Sequence, residues 1–175
     1  MEETQNIKYI NGDVTKPVTT NSIILIPHVV NDIGVMGAGV ARALFMKWPN
    51  VRSDYLEWYN FKTKDPHGSG EEIKPFEIGK CQLVEVAPPN IYVINMVAQN
   101  GIKATANKKP INYEALDDCL REVERLATAM EEEFSRDVEI HMPRIGCGLA
   151  GGSWIVVEKF ISNIINHPVI VYDYE

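Results

Sequence analysis

The chain has 175 residues, 45% of them hydrophobic, enough for one compact domain that buries about two thirds of its extended surface. A net charge of −7 argues against a protein that wraps unmodified DNA or RNA through its phosphates, a task that needs clustered Lys and Arg. A small anionic ligand stays open, because backbone N–H groups hold phosphate without side-chain charge.

The first apolar run, residues 7–10, is rich in β-branched side chains and closes on Asn11-Gly12-Asp13, which predicts a strand and a turn. Residues 22–26 predict a second strand, closed by Pro27-His28. The glycine-rich stretch GVMGAG at 34–39 then opens a segment with Val40, Leu44 and Phe45 on one face, expected as a helix that stops near Pro49. Residues 60–75 are polar and hold Pro66, Gly68 and Gly70, the composition of a surface loop.

Residues 81–86 and 91–97 predict two further strands, the second apolar almost throughout, as a strand buried on both faces is. A polar loop at 100–109 follows. From Tyr113 onward Leu116, Leu120, Val123, Ala127, Met130 and Phe134 recur at steps of three and four, the strongest helical signal in the chain. Residues 138–142, 155–165 and 169–172 read as strand, helix and strand. Helices and strands mixed in this order predict a single α/β sandwich around a mixed sheet.

Neither apolar run, at 23–26 or 91–98, approaches the roughly 18–20 residues of a membrane span. No basic-then-apolar leader opens the chain, so the expectation is a cytoplasmic protein. Cys81, Cys119 and Cys147 contain no C-x-x-C pair, and the four histidines have no i, i+4 partner. Free thiols and no metal site are expected.

The stretch MPRIGCGLAGGSW, from Met142 to Trp154, contains the G-x-G-x-x-G spacing of dinucleotide-binding turns. Asp173 even stands at about the ~20-residue distance at which such folds place a ribose-binding acid. A dinucleotide fold needs several strands after its fingerprint, however, and here one remains, which argues against NAD. A strand, a glycine turn, Ser153 as candidate N-cap and a helix still make an anion site. The second glycine cluster, at 34–39, also lies between strand and helix. Two such loops can clasp a diphosphate from both sides.

The segments NGDVT at 11–15, PHVVNDIGVMGAGVA at 27–41, NMVAQ at 95–99 and MPRIGCGLAGGSW together resemble the macro domain, the ADP-ribose-binding family. The resemblance spans residues 7–174, with 60–75 the least familiar part. Its closest look is to the branch with ADP-ribose 1″-phosphate phosphatases, ADP-ribosyl-glutamate hydrolases and the macro domain of chromatin-remodelling helicases. It implies a three-layer α/β/α sandwich with a mixed sheet of about six strands, and ADP-ribose or ADP-ribose 1″-phosphate as the ligand with no cofactor.

By this resemblance Asp13 accepts from the adenine amino group with the Val14 amide alongside, against the plainer reading of Asp13 as an Asx-turn. Gly37, Ala38, Gly39 and Val40 form one wall of the diphosphate and distal-ribose site, and Gly146, Cys147, Gly148, Leu149 and Ala150 the other. Tyr174 lies either against adenine or as a partly buried C-terminal aromatic. His28 serves as general acid or water-orienting group at the distal phosphate and Asn31 bonds a ribose hydroxyl; the plainer reading of His28 is a satisfied structural histidine. Arg144 is left to pair with a neighbouring acid or carbonyl.

Glutamate-linked hydrolases of this branch carry a lysine and an acid where this chain has Met96 and Ala150, which counts against their mechanism unless Asp32 or a lysine at 103–109 compensates. Cys147 as a nucleophile is weaker than Cys147 as a small residue in a turn. The leading expectation is hydrolysis of ADP-ribose 1″-phosphate by positioned water and loop amides without metal. A reader module without chemistry and a hydrolase that removes ADP-ribose from protein or nucleic acid are the alternatives.

Overall fold

The computed structural model describes residues 6–18, 20–61, 75–105 and 108–174. Strands β1 (Ile7–Asn11), β2 (Ile23–Asn31), β3 (Cys81–Ala87), β4 (Ile91–Gln99), β5 (Val138–Met142) and β6 (Val169–Asp173) form one sheet in the order β1-β6-β5-β2-β4-β3. Every pairing is parallel except β3 against β4. Helices α1 (Gly39–Lys47) and α2 (Asn50–Phe61) cover one face, with Leu44, Val51 and Tyr55 against Ile24, Ile26 and Val93. Helices α3 (Tyr113–Phe134) and α4 (Trp154–Ile164) cover the other, with Leu120, Val123 and Ile161 against Leu25, Ile94 and Ile140. This is the expected three-layer α/β/α sandwich on a six-stranded mixed sheet.

The periodic apolar positions of α3 are buried from Ala115 to Met130, and Asn112 caps the helix by accepting from the Ala115 amide at 2.9 Å. Phe134, expected on the same face, is instead exposed in the last turn, where the chain leaves the sheet through Ser135 in the left-handed region (φ 51°). No described helix is long and apolar enough to cross a membrane. The expected loop at 60–75 falls mostly on residues outside the described ones.

Two elements differ from expectation. Pro49 ends α1 but also starts α2, because its carbonyl accepts from the amides of Arg52 and Ser53. Strand β2 does not close at Pro27-His28 but runs on to Asn31. The Ile23 amide donates towards β5 and the Ile24 amide towards the β4 side, so alternation points position 27 at β5. Pairing with β5 stops at Leu25, two residues earlier, so proline's missing donor faces a gap and costs no ladder bond. That divergence of β2 from β5 opens the sheet at its carboxyl edge.

A buried ion cluster pins α3 to the α4–β6 connection. His167, 8% exposed, bonds Glu124 through Nδ1 at 2.8 Å and Glu131 through Nε2 at 2.9 Å, so both ring nitrogens are donors and the ring is cationic. Burial pushes its pKa down, but the two carboxylates outweigh this and the net shift is upward. A raised folded-state pKa gives stability fully present below the unfolded value of about 6.5 and lost as pH climbs through the folded value. Thermal melts from pH 6 to 9 are therefore expected to show wild-type stability falling, with His167→Gln lacking about 1–2 kcal/mol of that decline.

Candidate functional site

Because β1, β6, β5, β2 and β4 all run parallel, their carboxyl ends share one edge, where open α/β sheets place ligands. The four sequence motifs therefore arrive together. The 12–15 turn follows β1, the first glycine loop follows β2, the 95–99 segment ends β4 and the second glycine loop follows β5, with Tyr174 beside them after β6.

The first loop is built by Asn31. Its Oδ1 accepts from the amides of Ile33 and Val35 at 3.1 and 3.2 Å and from the Tyr55 hydroxyl at 2.8 Å, while its Nδ2 donates to the Val35 carbonyl at 2.5 Å. Gly34 closes the turn at φ 74°, with the Tyr59 ring so near that a Cβ there would lie 2.5 Å from it. The chain then reaches α1 through exposed Gly37 and Ala38 and through Gly39 at φ 63°. Ala38 is the N-cap and offers no side-chain acceptor, nor is there an acid in the first turn. Among the described residues the amides of Gly39, Val40 and Ala41 find no acceptor, as expected of a helix start.

The second loop folds on itself. The Gly152 amide donates to the Gly146 carbonyl at 2.7 Å and the Gly151 amide to the Gly148 carbonyl at 3.0 Å. The Ala150 carbonyl accepts from the Ile111 amide at 3.0 Å. Among the described residues the amides of Gly148, Leu149 and Ala150 find no acceptor. Ser153 is the N-cap of α4, as expected, yet its hydroxyl makes no cap bond. The two loops meet: a methyl group on Gly39 would lie 3.8 Å from Leu149 Cδ1. Nothing lies within 4 Å of a Cβ built on Gly37 or Gly148, so both walls face open space.

Free amides at the uncapped start of α1 and in the second loop beside it hold an anion well, and at α1 the helix dipole adds to the hydrogen bonds. At the β1 end, Asp13 forms the Asx-turn of the plainer reading, with Oδ1 accepting from the Thr15 amide at 2.9 Å and its hydroxyl at 2.8 Å. Among the described residues Oδ2 has no donor, so the turn and a binding role are compatible. The Val14 side chain is buried and anchors the turn. Tyr174 is 80% exposed, so it is not the partly buried aromatic of its plainer reading.

Two expected catalytic side chains are used inside the protein. His28 is 2% exposed on the α1–α2 face of β2, with Nε2 2.5 Å from Asn95 Oδ1. Burial holds its pKa down to about 4, so it is neutral at pH 7 and has no proton to donate as an acid. Its expected place at the distal phosphate is corrected accordingly: strand alternation turns it inward, as it does Ile26 and Val30. Asn31 is 6% exposed, with Oδ1 taken up by Ile33, Val35 and Tyr55 and one Nδ2 proton on the Val35 carbonyl, so its main work is to shape the loop. Asp32 likewise receives the Gly101 amide at 2.9 Å and the Asn100 side chain at 3.1 Å, so it braces the neighbouring turn.

Arg144 pairs with Asp173 at 2.7 Å and lies 5.3 Å from the ring centres of both Tyr9 and Trp154. Asp173, the acid a dinucleotide fold would need, is spent there. Burial pushes the Cys147 thiol up, which removes the thiolate a nucleophile requires. Met96 is fully buried within β4, and Cys81 and Cys119 are buried in the core. The signal missed in the sequence was the set of internal partners, not the motifs.

No family model matches the chain. A macrodomain protein from Streptomyces coelicolor shares 34% identity, 97% of this chain and 99% of that one, with a TM-score of 0.74. A protein of unknown function from Bacteroides thetaiotaomicron shares 35% identity over 98% of this chain and 99% of that one, with a TM-score of 0.82. Among characterised sequences, an ADP-ribose 1″-phosphate phosphatase of Scheffersomyces stipitis is 27% identical over 164 residues, 89% of this chain and 92% of that protein. The two facing glycine loops and the likeness to the Streptomyces protein along the whole chain agree: this chain belongs to the macro domain family.

Proposed function

We propose that this macro domain binds ADP-ribose along the carboxyl edge of its sheet and releases the phosphate of ADP-ribose 1″-phosphate. The observation that carries the reading is the pair of facing glycine loops with amides left unpaired on both sides. The diphosphate lies between residues 37–40 and 146–150, adenine lies at Asp13, Val14 and Tyr174, and the distal ribose lies towards the first loop. In the hydrolysis water attacks the terminal phosphorus, the bond from phosphorus to the ribose oxygen breaks, and the proton lost by the water reaches that oxygen through solvent, while loop amides stabilise charge on the departing oxygen and the phosphoryl group. The name of the 27%-identical relative supports this chemistry.

One observation favours a second reading, a module that holds ADP-ribose without chemistry. His28 is buried and neutral with Nε2 held by Asn95, and Asn31 and Asp32 bond the loops around them, so among the described residues no exposed acid or base stands ready at the first loop. Incubation with ADP-ribose 1″-phosphate decides between them. Slow phosphate release that vanishes in Gly148→Glu supports the phosphatase; ADP-ribose binding without release supports the module.

Asp13 tests the adenine end. Loss of one hydrogen bond to a charged acceptor costs about 1.5–3 kcal/mol. Asp13→Ala is therefore expected to weaken ADP-ribose about 10- to 100-fold in calorimetry, and an unchanged affinity removes Asp13 from the site.

A further inference from the structure

We infer that Tyr172, His141 and Glu139 form a buried positioning relay that holds the connection after β1 at Val18 and Ser22, and with it Asp13, in the register that selects adenine. This rests on the ADP-ribose reading above. The connection from β1 to β2 has little regular structure of its own, yet it carries the residue proposed to read the base. Something must fix it.

The bonds assign themselves. His141 is fully buried, with Nε2 2.9 Å from Glu139 Oε1. A carboxylate only accepts, so Nε2 carries the proton. Burial lowers the His141 pKa, so the ring is neutral and Nδ1 is an acceptor. The Tyr172 hydroxyl, 2.7 Å from Nδ1, therefore donates to it. That leaves the Tyr172 oxygen to accept from the Val18 amide at 2.9 Å. Glu139 Oε2 accepts from the Ser22 hydroxyl at 3.1 Å. A single proton direction runs from Val18 through Tyr172 and His141 to Glu139, with the connection tied at Val18 and again at Ser22.

The same tyrosine touches the start of the turn. A Cβ on Gly12 would lie 3.4 Å from the Tyr172 ring, and the Gly12 amide donates to the Asp173 carbonyl at 2.9 Å. Tyr172 thus fixes the turn before Asp13 by packing and the segment after it by hydrogen bonding. Removing the hydroxyl leaves the ring and the packing in place but strands the Val18 amide and His141 Nδ1. The relay lies beneath the turn and reaches no ligand.

A merely structural role predicts equal losses for every ligand, whereas a positioning role predicts loss of base selectivity. The test compares ADP-ribose with inosine diphosphate ribose, whose base carries a carbonyl where adenine carries its amino group. Wild type is expected to prefer ADP-ribose. Tyr172→Phe is expected to weaken ADP-ribose about 10-fold and the inosine ligand less than twofold, so the preference collapses. Ser22→Ala, a change at a half-buried position outside the apolar core, is expected to shrink the same preference two- to threefold and decides the matter if Tyr172→Phe does not fold. A preference unchanged in the folded variants overturns the relay while leaving ADP-ribose binding intact. A wild type that binds neither ligand overturns both.

Discussion

Gly148→Glu is expected to fold like the wild type and to bind ADP-ribose at least 100-fold more weakly. A Cβ at Gly148 meets nothing within 4 Å, and its φ is not in the left-handed region, so the backbone tolerates a side chain there. The new carboxylate enters the space in which the amides of 148–150 await an anion. Two unit charges about 4 Å apart repel by roughly 4 kcal/mol at an effective dielectric of about 20, well above the ~2.7 kcal/mol that a 100-fold loss requires. Calorimetry for binding and a thermal melt for folding read the two halves separately. A variant that still binds would place the diphosphate elsewhere.

Gly152→Ala is expected to do the reverse and act on the fold. A Cβ at Gly152 would lie 2.5 Å from the Gly146 carbonyl oxygen and 3.3 Å from its carbon, both backbone atoms. That carbonyl is also the acceptor for the Gly152 amide, so the clash falls on the bond that closes the second loop. Overpacking of this kind costs typically 1–3 kcal/mol, and loss of the closing bond adds about 1 more. At about 2–4 °C per kcal/mol for a chain of this size, the melting temperature should fall by roughly 4–16 °C. Gly148→Ala in the same melt should stay within about 2 °C, because its site is open.

These two glycines, four residues apart in one motif, show where sequence reasoning stops. The spacing marks both as loop residues between a strand and a helix, and that much was legible. Which one faces solvent and which one meets a carbonyl depends on how the loop folds back, a fact of three dimensions. The layers of the sandwich were legible for a related reason: α3 carries a strict apolar period, and β4 is apolar almost throughout.

The first helical face was less readable. Val51, Tyr55 and Trp58 have helical spacing, but Pro49 reads as a stop when in fact its carbonyl also begins α2. Pro27 misled in the same way, since proline marks the end of a strand unless its missing donor faces a gap. That gap exists only because β2 and β5 diverge after Leu25. Once β2 continues, alternation turns His28 inward, and a residue expected at the ligand becomes part of the buried bond to Asn95. Asn31 lies beside the loop, as its place in the sequence implies, and its recorded bonds build that loop.

The central claim is that the carboxyl edge of this sheet is an ADP-ribose site, and a calorimetric titration of the wild-type chain with ADP-ribose tests it most directly. The account predicts one saturable site per chain with micromolar affinity, corresponding to about −8 kcal/mol, and loss of that heat in Gly148→Glu. No heat and no rise in melting temperature at about 1 mM ligand would contradict it, since even a ~10 μM site would then be filled and stabilised by nearly 3 kcal/mol.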